Sequence, residues 1–215
     1  MSFGLKGGMS FAQHYGTEER DPEYEVSSHW RHSFAFGAFL GFPVSDRFGL
    51  QQELLYVRKG SHQDIGVDIL EIPTVLDVTY DADYLEIPVL LKFTWLQSNH
   101  LTLGSFSGFV MSLKLHDAYR LRGEVDDGTQ IVALQADADM SEVDMFDFGF
   151  SYGTELGVRV WGKNLVLEHR FTIGWNTLAM PTYAYVPFGD EQLLIENEPV
   201  PLRNQNHLVL VGLRF

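Results

Sequence analysis

The sequence predicts an all-β protein: one domain over residues 1–215, built as an eight-stranded antiparallel up-and-down transmembrane β-barrel. Three observations lead there. Apolar and polar residues alternate with period two through most of the chain, while the 3.6-residue period of a helix is hard to find. The segments between alternating stretches are short and long by turns, as in barrels that cross a membrane. Many of the 16 Phe, nine Tyr and four Trp fall on one stripe of each stretch, and the other stripe is rich in Gly, Ser and Ala.

Strands are expected at about 2–13, 31–43, 47–60, 83–96, 100–115, 146–161, 164–178 and 205–215. Each offers roughly the 9–11 residues a tilted strand needs to cross a bilayer. The second, fourth and sixth strands end in tight connections, "PVSDR" (43–47), "LQSNH" (96–100) and "GK" (162–163). The other connections are long, at about 14–30, 61–82, 116–145 and 179–204. Asp127-Gly128, between alternating segments, predicts a projecting hairpin inside the third long loop. The tetrapeptide "LEIP" occurs at 70–73 and 85–88, and its first copy is read as loop.

Charge sorts with length. The long loops carry a net charge of about −18 and the wall about +4, within a total of −14. Acidity therefore belongs to one end of the molecule.

Volume decides which stripe faces inward. The second strand sets Phe34, Phe36, Ala38, Leu40 and Phe42 against Ala35, Gly37, Phe39 and Gly41. The fourth sets Leu85, Ile87, Val89, Leu91, Phe93 and Trp95 against Glu86, Pro88, Leu90 and Lys92. The sixth sets Phe146, Phe148, Phe150 and Tyr152 against Asp147, Gly149, Ser151 and Gly153. An eight-stranded bore is just wide enough for side chains, so the aromatic stripes are expected to face lipid. A soluble lipocalin-like carrier, with the apolar stripe inside, is the alternative. Trp95, Trp161, Trp175, Tyr56 and Phe215 fall near strand ends, where interfacial girdles form.

The lumen is then expected to hold Lys6, Glu53, Glu86, Lys92, Glu155, Arg159, Glu168, Arg170 and Arg214, four acids and five bases. Buried charges persist by mutual pairing. A Gly162-Lys163 turn would set Glu155 opposite Arg170. Pairing Phe42 with Phe48 would set Glu53 opposite Gly37. Pairing Trp95 with Leu101 would set Pro88 opposite Gly108, with a local bend or bulge where proline forfeits a ladder bond.

Several stretches together resemble a known family: "GLKGGMSFA" (4–12), "FGAFLGFPVSDRFGLQQELLYVRKG" (36–60), "DYLEIPVLLKF" (83–93), "FDFGFSYGTELGV" (146–158) and "LVLVGLRF" (208–215). They resemble the PorT-type outer-membrane β-barrel family of Gram-negative bacteria. The resemblance covers all eight strands and fails in the long loops; Gln52 stands where that family often has proline. It implies an outer-membrane location with long loops extracellular and both termini periplasmic. Its implied partners are outer-membrane lipid and lipopolysaccharide, and the barrel assembly machinery during insertion. The namesake's link to type IX secretion adds envelope or secretion complex subunits. Val211, Leu213 and the terminal Phe215 match the C-terminal signal read by that machinery.

Other function classes lack support. With no cysteine there is no disulfide, thiolate nucleophile or Cys-type zinc site. The acidic balance and scattered bases argue against nucleic acid. No apolar run is long enough for a transmembrane helix, and the first residues lack the form of a secretory signal, so Met1 reads as an added start. The histidines show no paired metal-ligand spacing, and His29 and His32, three apart on an extended stretch, should face opposite ways. His169 on the lipid-facing stripe would need a nearby serine to modify lipid, and its expected register offers only Leu156 and Thr154. The acidic runs 81–84, 126–127 and 137–140 lack the order of an EF-hand. No cofactor, metal or catalytic residue is expected. The chain reads as a non-enzymatic barrel for surface interaction or envelope assembly, with a lipid-modifying enzyme as a further alternative.

Overall fold

A computed structural model describes residues 1–15, 25–69, 72–126, 128, 131–138, 145–160, 162–176, 183–188, 191–196 and 203–215. Eleven strands appear there: β1 (Ser2–Tyr15), β2 (Glu25–Pro43), β3 (Phe48–Ile69), β4 (Ile72–Gln97), β5 (Leu101–Asp126), β6 (Ile131–Ala138), β7 (Phe146–Val160), β8 (Lys163–Gly174), β9 (Tyr183–Phe188), β10 (Glu191–Glu196) and β11 (Arg203–Arg214). The described residues contain no helix.

Eight strands form the wall. Antiparallel pairing runs β4-β3-β2-β1-β11-β8-β7-β5, and β4 pairs with β5 to close the ring. Closure leaves no wall edge unpaired, as a strand-built membrane protein requires. The seam between the chain ends joins β1 to β11, from Gly4 opposite Arg214 to Tyr15 opposite Arg203. Below it, Phe215 N donates to Phe3 O at 2.8 Å and the two rings stack at 5.2 Å.

Alternation sorts the wall as the residue sizes require. Phe3, Leu5, Phe36, Leu54, Leu91, Phe109, Phe148, Leu167 and Val211 are exposed on the outside. Gly37 lies inside, opposite Leu55, where a Cβ would come within 2.1 Å of the Leu54 carbonyl oxygen. Trp95, Trp175 and Phe215 are exposed; Trp161 lies outside the described residues.

The strands run past the wall at the long-loop end. β3, β4 and β5 have 22, 26 and 26 residues, far more than a bilayer crossing uses. Most of the expected loop 61–82 is thus β-hairpin, closing from Asp68 opposite Pro73 to Ile69 opposite Ile72. Ile72 and Pro73 of the first "LEIP" copy open β4, while residues 70–71 lie outside the described set. Likewise the expected loop 116–145 contains the end of β5 paired with β6, from Tyr119 opposite Ala138 to Asp126 opposite Ile131. The hairpin expected around Gly128 is present, with Gly128 at φ +81°. The expected loop 179–204 contains the β9–β10 hairpin.

In this extension the chemistry of the two faces exchanges. Leu76, Val78, Tyr80, Ala82, Tyr119, Leu121, Val125 and Leu134 are buried inside, and Asp77, Thr79, Asp81 and Asp83 face out. Four residues on along β4, Ile87 and Val89 face out and Glu86 faces in. The Asp83–Leu85 step is where an outward apolar wall gives way to an outward polar one.

Register departs from expectation at each tight turn. Beside Gly162 (φ +78°), Val160 pairs with Lys163, so Lys163 belongs to the ladder and not to a Gly162-Lys163 turn. Glu155 therefore faces Glu168, and Arg170 faces Gly153. In the first turn Pro43 pairs with Gly49 and Ser45 Oγ accepts from Phe48 N at 3.1 Å, which gives a five-residue loop. Glu53 consequently faces Phe39, and Gly37 faces Leu55. A bulge at Trp95 sets Pro88 opposite Val110 and Leu90 opposite Gly108. Pro88 causes no register shift, but the rungs for Glu53–Pro88 and Leu54–Ile87 are missing from the β3–β4 ladder.

Candidate functional site in the barrel lumen

Eight of the nine residues expected in the lumen have buried or part-buried ion pairs. Lys6 of β1 bridges Glu53 of β3 at 2.7 Å and Glu168 of β8 at 2.9 Å. Arg170 of β8 bridges the same two acids, at 2.8 and 2.6 Å. Each carboxylate thus lies between an ammonium and a guanidinium, which offsets desolvation by both charge and hydrogen bonds. Glu155 of β7 bonds Arg214 at 2.8 Å and also pairs with Lys92 of β4. Gln51 joins the two groups, donating to Glu53 at 2.5 Å and accepting from Lys92 at 3.1 Å.

Aromatic rings cap these cations. Lys6 and Arg214 lie 5.5 and 5.6 Å from the Phe39 centroid, and Arg170 lies 5.3 Å from that of Phe106. Gly4 makes room for Phe39, since a Cβ there would come within 2.3 Å of its ring. Ala35, Leu55, Val57, Leu208 and Leu210 form a buried apolar cluster on the inward stripe.

A second polar group lies toward the long-loop end. Lys59 bridges Glu86 at 2.6 Å and lies 4.7 Å from the Tyr84 centroid. Asn204 donates to Asp147 at 3.1 Å and to Tyr84 Oη at 3.4 Å. Lys114 and Tyr80 both donate to Asp117, at 2.7 and 3.2 Å. His14 Nδ1 is 2.8 Å from Ser61 Oγ, and its ring meets that of Tyr80 at 5.1 Å. This histidine is level with the extension, beyond the outward apolar wall. Burial, reinforced by the nearby Lys59 cation, pushes its imidazole down to about 4. Burial raises the Tyr119 phenol to about 12.

Arg159 does not join the network. It is exposed at the short-turn end, opposite Asn164 and one rung before the hairpin turn, and has no ion pair with a described residue. The expected Glu155–Arg170 pair is replaced by Glu155 with Lys92 and Arg214, following the hairpin register. Gln51, Lys59, Lys114, Asp117, Asp147, Tyr84 and Asn204 were not expected in the network. Period two pointed to several of them: Gln51 and Lys59 share the inward stripe of Glu53, and Lys114 shares that of Ser112. Asp117 and Tyr80 lie where a loop was expected.

Other candidates resolve by geometry. Asp83 is held by Arg58 at 2.6 and 3.0 Å, and Asp81 by Arg31 and Arg120, so the acidic run at 81–84 is neutralised by arginine. Asp127 and residues 139–140 of the other runs lie outside the described residues. His169 faces Thr154 and not Leu156, and its Nε2 is 3.2 Å from Nδ1 of His207. A bulge between Trp30 and Ala35 inserts one residue into β2, so His29 and His32 both end on the exposed side. At the C-terminus Val211 and Phe215 are exposed on the outer stripe, and Leu213 on that stripe pairs with Leu5.

A β-barrel of this kind has a counterpart among known protein families. The model of the outer membrane protein beta-barrel domain matches residues 1–179. The chain belongs to this outer-membrane β-barrel family. The outer membrane is therefore its location, and lipid is the solvent of its apolar wall. Solved structures with similar shape include Ail, the attachment invasion locus protein of Yersinia pestis, at 10% identity and TM-score 0.40, covering 100% of this chain and 98% of that one. OprG of Pseudomonas aeruginosa matches at 8% identity and TM-score 0.49, covering 100% and 95%. The outer membrane protease OmpT of Escherichia coli matches at 8% identity and TM-score 0.46, also covering 100% and 95%. A search of curated proteins found no significant match.

Proposed function

We propose that this outer-membrane barrel is non-enzymatic, is closed to solute through its lumen, and acts through its long-loop end in surface interaction or envelope assembly. The observation that carries this reading is the Lys6–Glu53–Arg170–Glu168 cluster, whose four side chains are 2% exposed or less. In a bore this narrow such a cluster fills the cross-section, leaving no open ion path. The net negative long-loop end suits a docking role. In this reading those loops are extracellular and the termini periplasmic. Lipopolysaccharide surrounds the outer half of the wall, and the barrel assembly machinery reads Val211, Leu213 and Phe215. Purified barrel in planar bilayers should show no stepwise conductance; steady single-channel currents would overturn the closed lumen.

A second reading rests on "DYLEIPVLLKF" (83–93) and the other stretches that resemble the PorT type. It makes the barrel an accessory subunit of a secretion complex like type IX. A detergent pull-down from native membranes separates the two. Stoichiometric recovery of secretion subunits supports the second reading, and recovery of the barrel without them supports the first.

A further inference from the structure

On the outward face of β4 beyond the wall, acids have two kinds of partner. Asp83 and Asp81 are paired with Arg58, Arg31 and Arg120. One step further out, Asp77 faces Asp64 of β3 directly across the ladder. Like charges in that position repel, and among the described residues neither carboxylate has a Lys or Arg partner. Arg122 of β5, which is opposite Asp77, forms no ion pair with it. Histidines occupy the space instead.

His62 Nδ1 is 3.4 Å from Asp77 Oδ1, and its Nε2 is 3.8 Å from Asp64 Oδ1. One ligand atom from each of His62, Asp64 and Asp77 fits within a mutual distance of 4.8 Å. His29 of β2, opposite His62, brings Nε2 to 3.2 Å from Asp64 Oδ2. The β2 bulge is what turns His29 to this side. Thr79 Oγ1 is 3.4 Å from Asp77 and 3.3 Å from His62 Nδ1, a neighbour able to orient both.

We propose that His29, His62, Asp64 and Asp77 form a divalent transition-metal site of the zinc class, linking β2, β3 and β4 on the outer face of the extension. Two imidazoles with two carboxylates make a borderline donor set suited to tetrahedral Zn²⁺, whereas Ca²⁺ and Mg²⁺ prefer all-oxygen shells. The cation also removes the repulsion between the opposed carboxylates. All four ligands project from paired strands, so register holds their spacing.

The test uses the full chain refolded in detergent micelles, with Co²⁺ as a visible probe and Zn²⁺ as competitor. The expected result is one saturable Co²⁺ absorption band per chain, abolished by Zn²⁺. His62→Ala and the double change Asp64→Asn/Asp77→Asn should each weaken binding about a hundredfold. His32→Ala, outside the cluster, should leave it unchanged. Heat-modifiable migration of every variant verifies folding. The site is overturned by the absence of a saturable band, by equal weakening in His32→Ala, or by wild-type affinity in the Asp64/Asp77 variant. Ca²⁺ binding that needs the two aspartates but neither histidine also overturns it.

Discussion

Glu155 and Glu168 stand directly opposite each other across the β7–β8 hairpin, on the inward face of the wall. Two facing carboxylates would repel. They are tolerated because each turns to a different set of cations: Lys92 and Arg214 for Glu155, Lys6 and Arg170 for Glu168. The hairpin register is thus tied to four bases on β1, β4, β8 and β11.

Arg170 is the most buried of those bases, with no exposed side-chain surface, and it serves both Glu53 and Glu168. Arg170→Ala should destabilise the barrel by about 3–5 kcal/mol, the cost of leaving buried charge undercompensated. Arg214→Ala should cost clearly less, since Arg214 is 23% exposed and Glu155 keeps Lys92. Urea unfolding of the barrel refolded into lipid vesicles compares the two. Equal losses would contradict the account.

The exchange of faces along β4 predicts opposite responses to one kind of substitution. Val89→Arg puts a charge on the lipid-facing wall and should cost about 2–4 kcal/mol near the bilayer centre. Thr79→Arg, on the same outward stripe but beyond Asp83, should change stability by about 0.5 kcal/mol or less. The same vesicle assay reads both, and a comparable loss for Thr79→Arg would place the boundary elsewhere.

His14 predicts an acid-labile extension. Its folded-state value of about 4 lies below the ordinary 6.5, so the unfolded chain binds its proton first as pH falls. The stabilisation is present above about pH 6.5 and is lost progressively toward pH 4, by roughly 3 kcal/mol at most. Hydrogen-exchange protection of the β3–β4 extension, corrected for the intrinsic slowing of exchange in acid, should fall over that window in the wild type and not in His14→Asn. The same loss of protection in both would mean that another group titrates.

The wall was legible because lipid enforces a strict rule. Leu85, Ile87, Val89 and Leu91 had to lie on one stripe, and Glu86 and Lys92 on the other. Register was less legible. Whether Val160 pairs with Lys163 or Trp161 with Asn164 turns on which residue in the hairpin carries positive φ, and Gly162 suits either central position. Bulges between Trp30 and Ala35 of β2, at Leu115 of β5 opposite the Asp83–Tyr84 step, and at Trp95 of β4 each shift pairing by a residue. The extension was missed for a different reason. Beyond Asp83 the alternation continues with its polarity exchanged, so Tyr80 and Val78 read as loop and Asp77 as loop charge. Read by period alone, β4 runs from Ile72 to Gln97.

The central claim is that β4 enters lipid at the Asp83–Leu85 step with Leu85, Ile87, Val89 and Leu91 facing outward and Glu86 sealed inside. The chain has no cysteine, so single cysteines report without background. The direct measurement is labelling by a membrane-impermeant maleimide of barrels in vesicles, with cysteine placed in turn at 77, 79, 81, 85, 86, 87, 89 and 91. Rapid labelling at 77, 79 and 81, with protection at 85, 86, 87, 89 and 91, is the predicted result. Rapid labelling at 87, 89 and 91, or at 86, would contradict the lipid-facing wall or the closed lumen respectively.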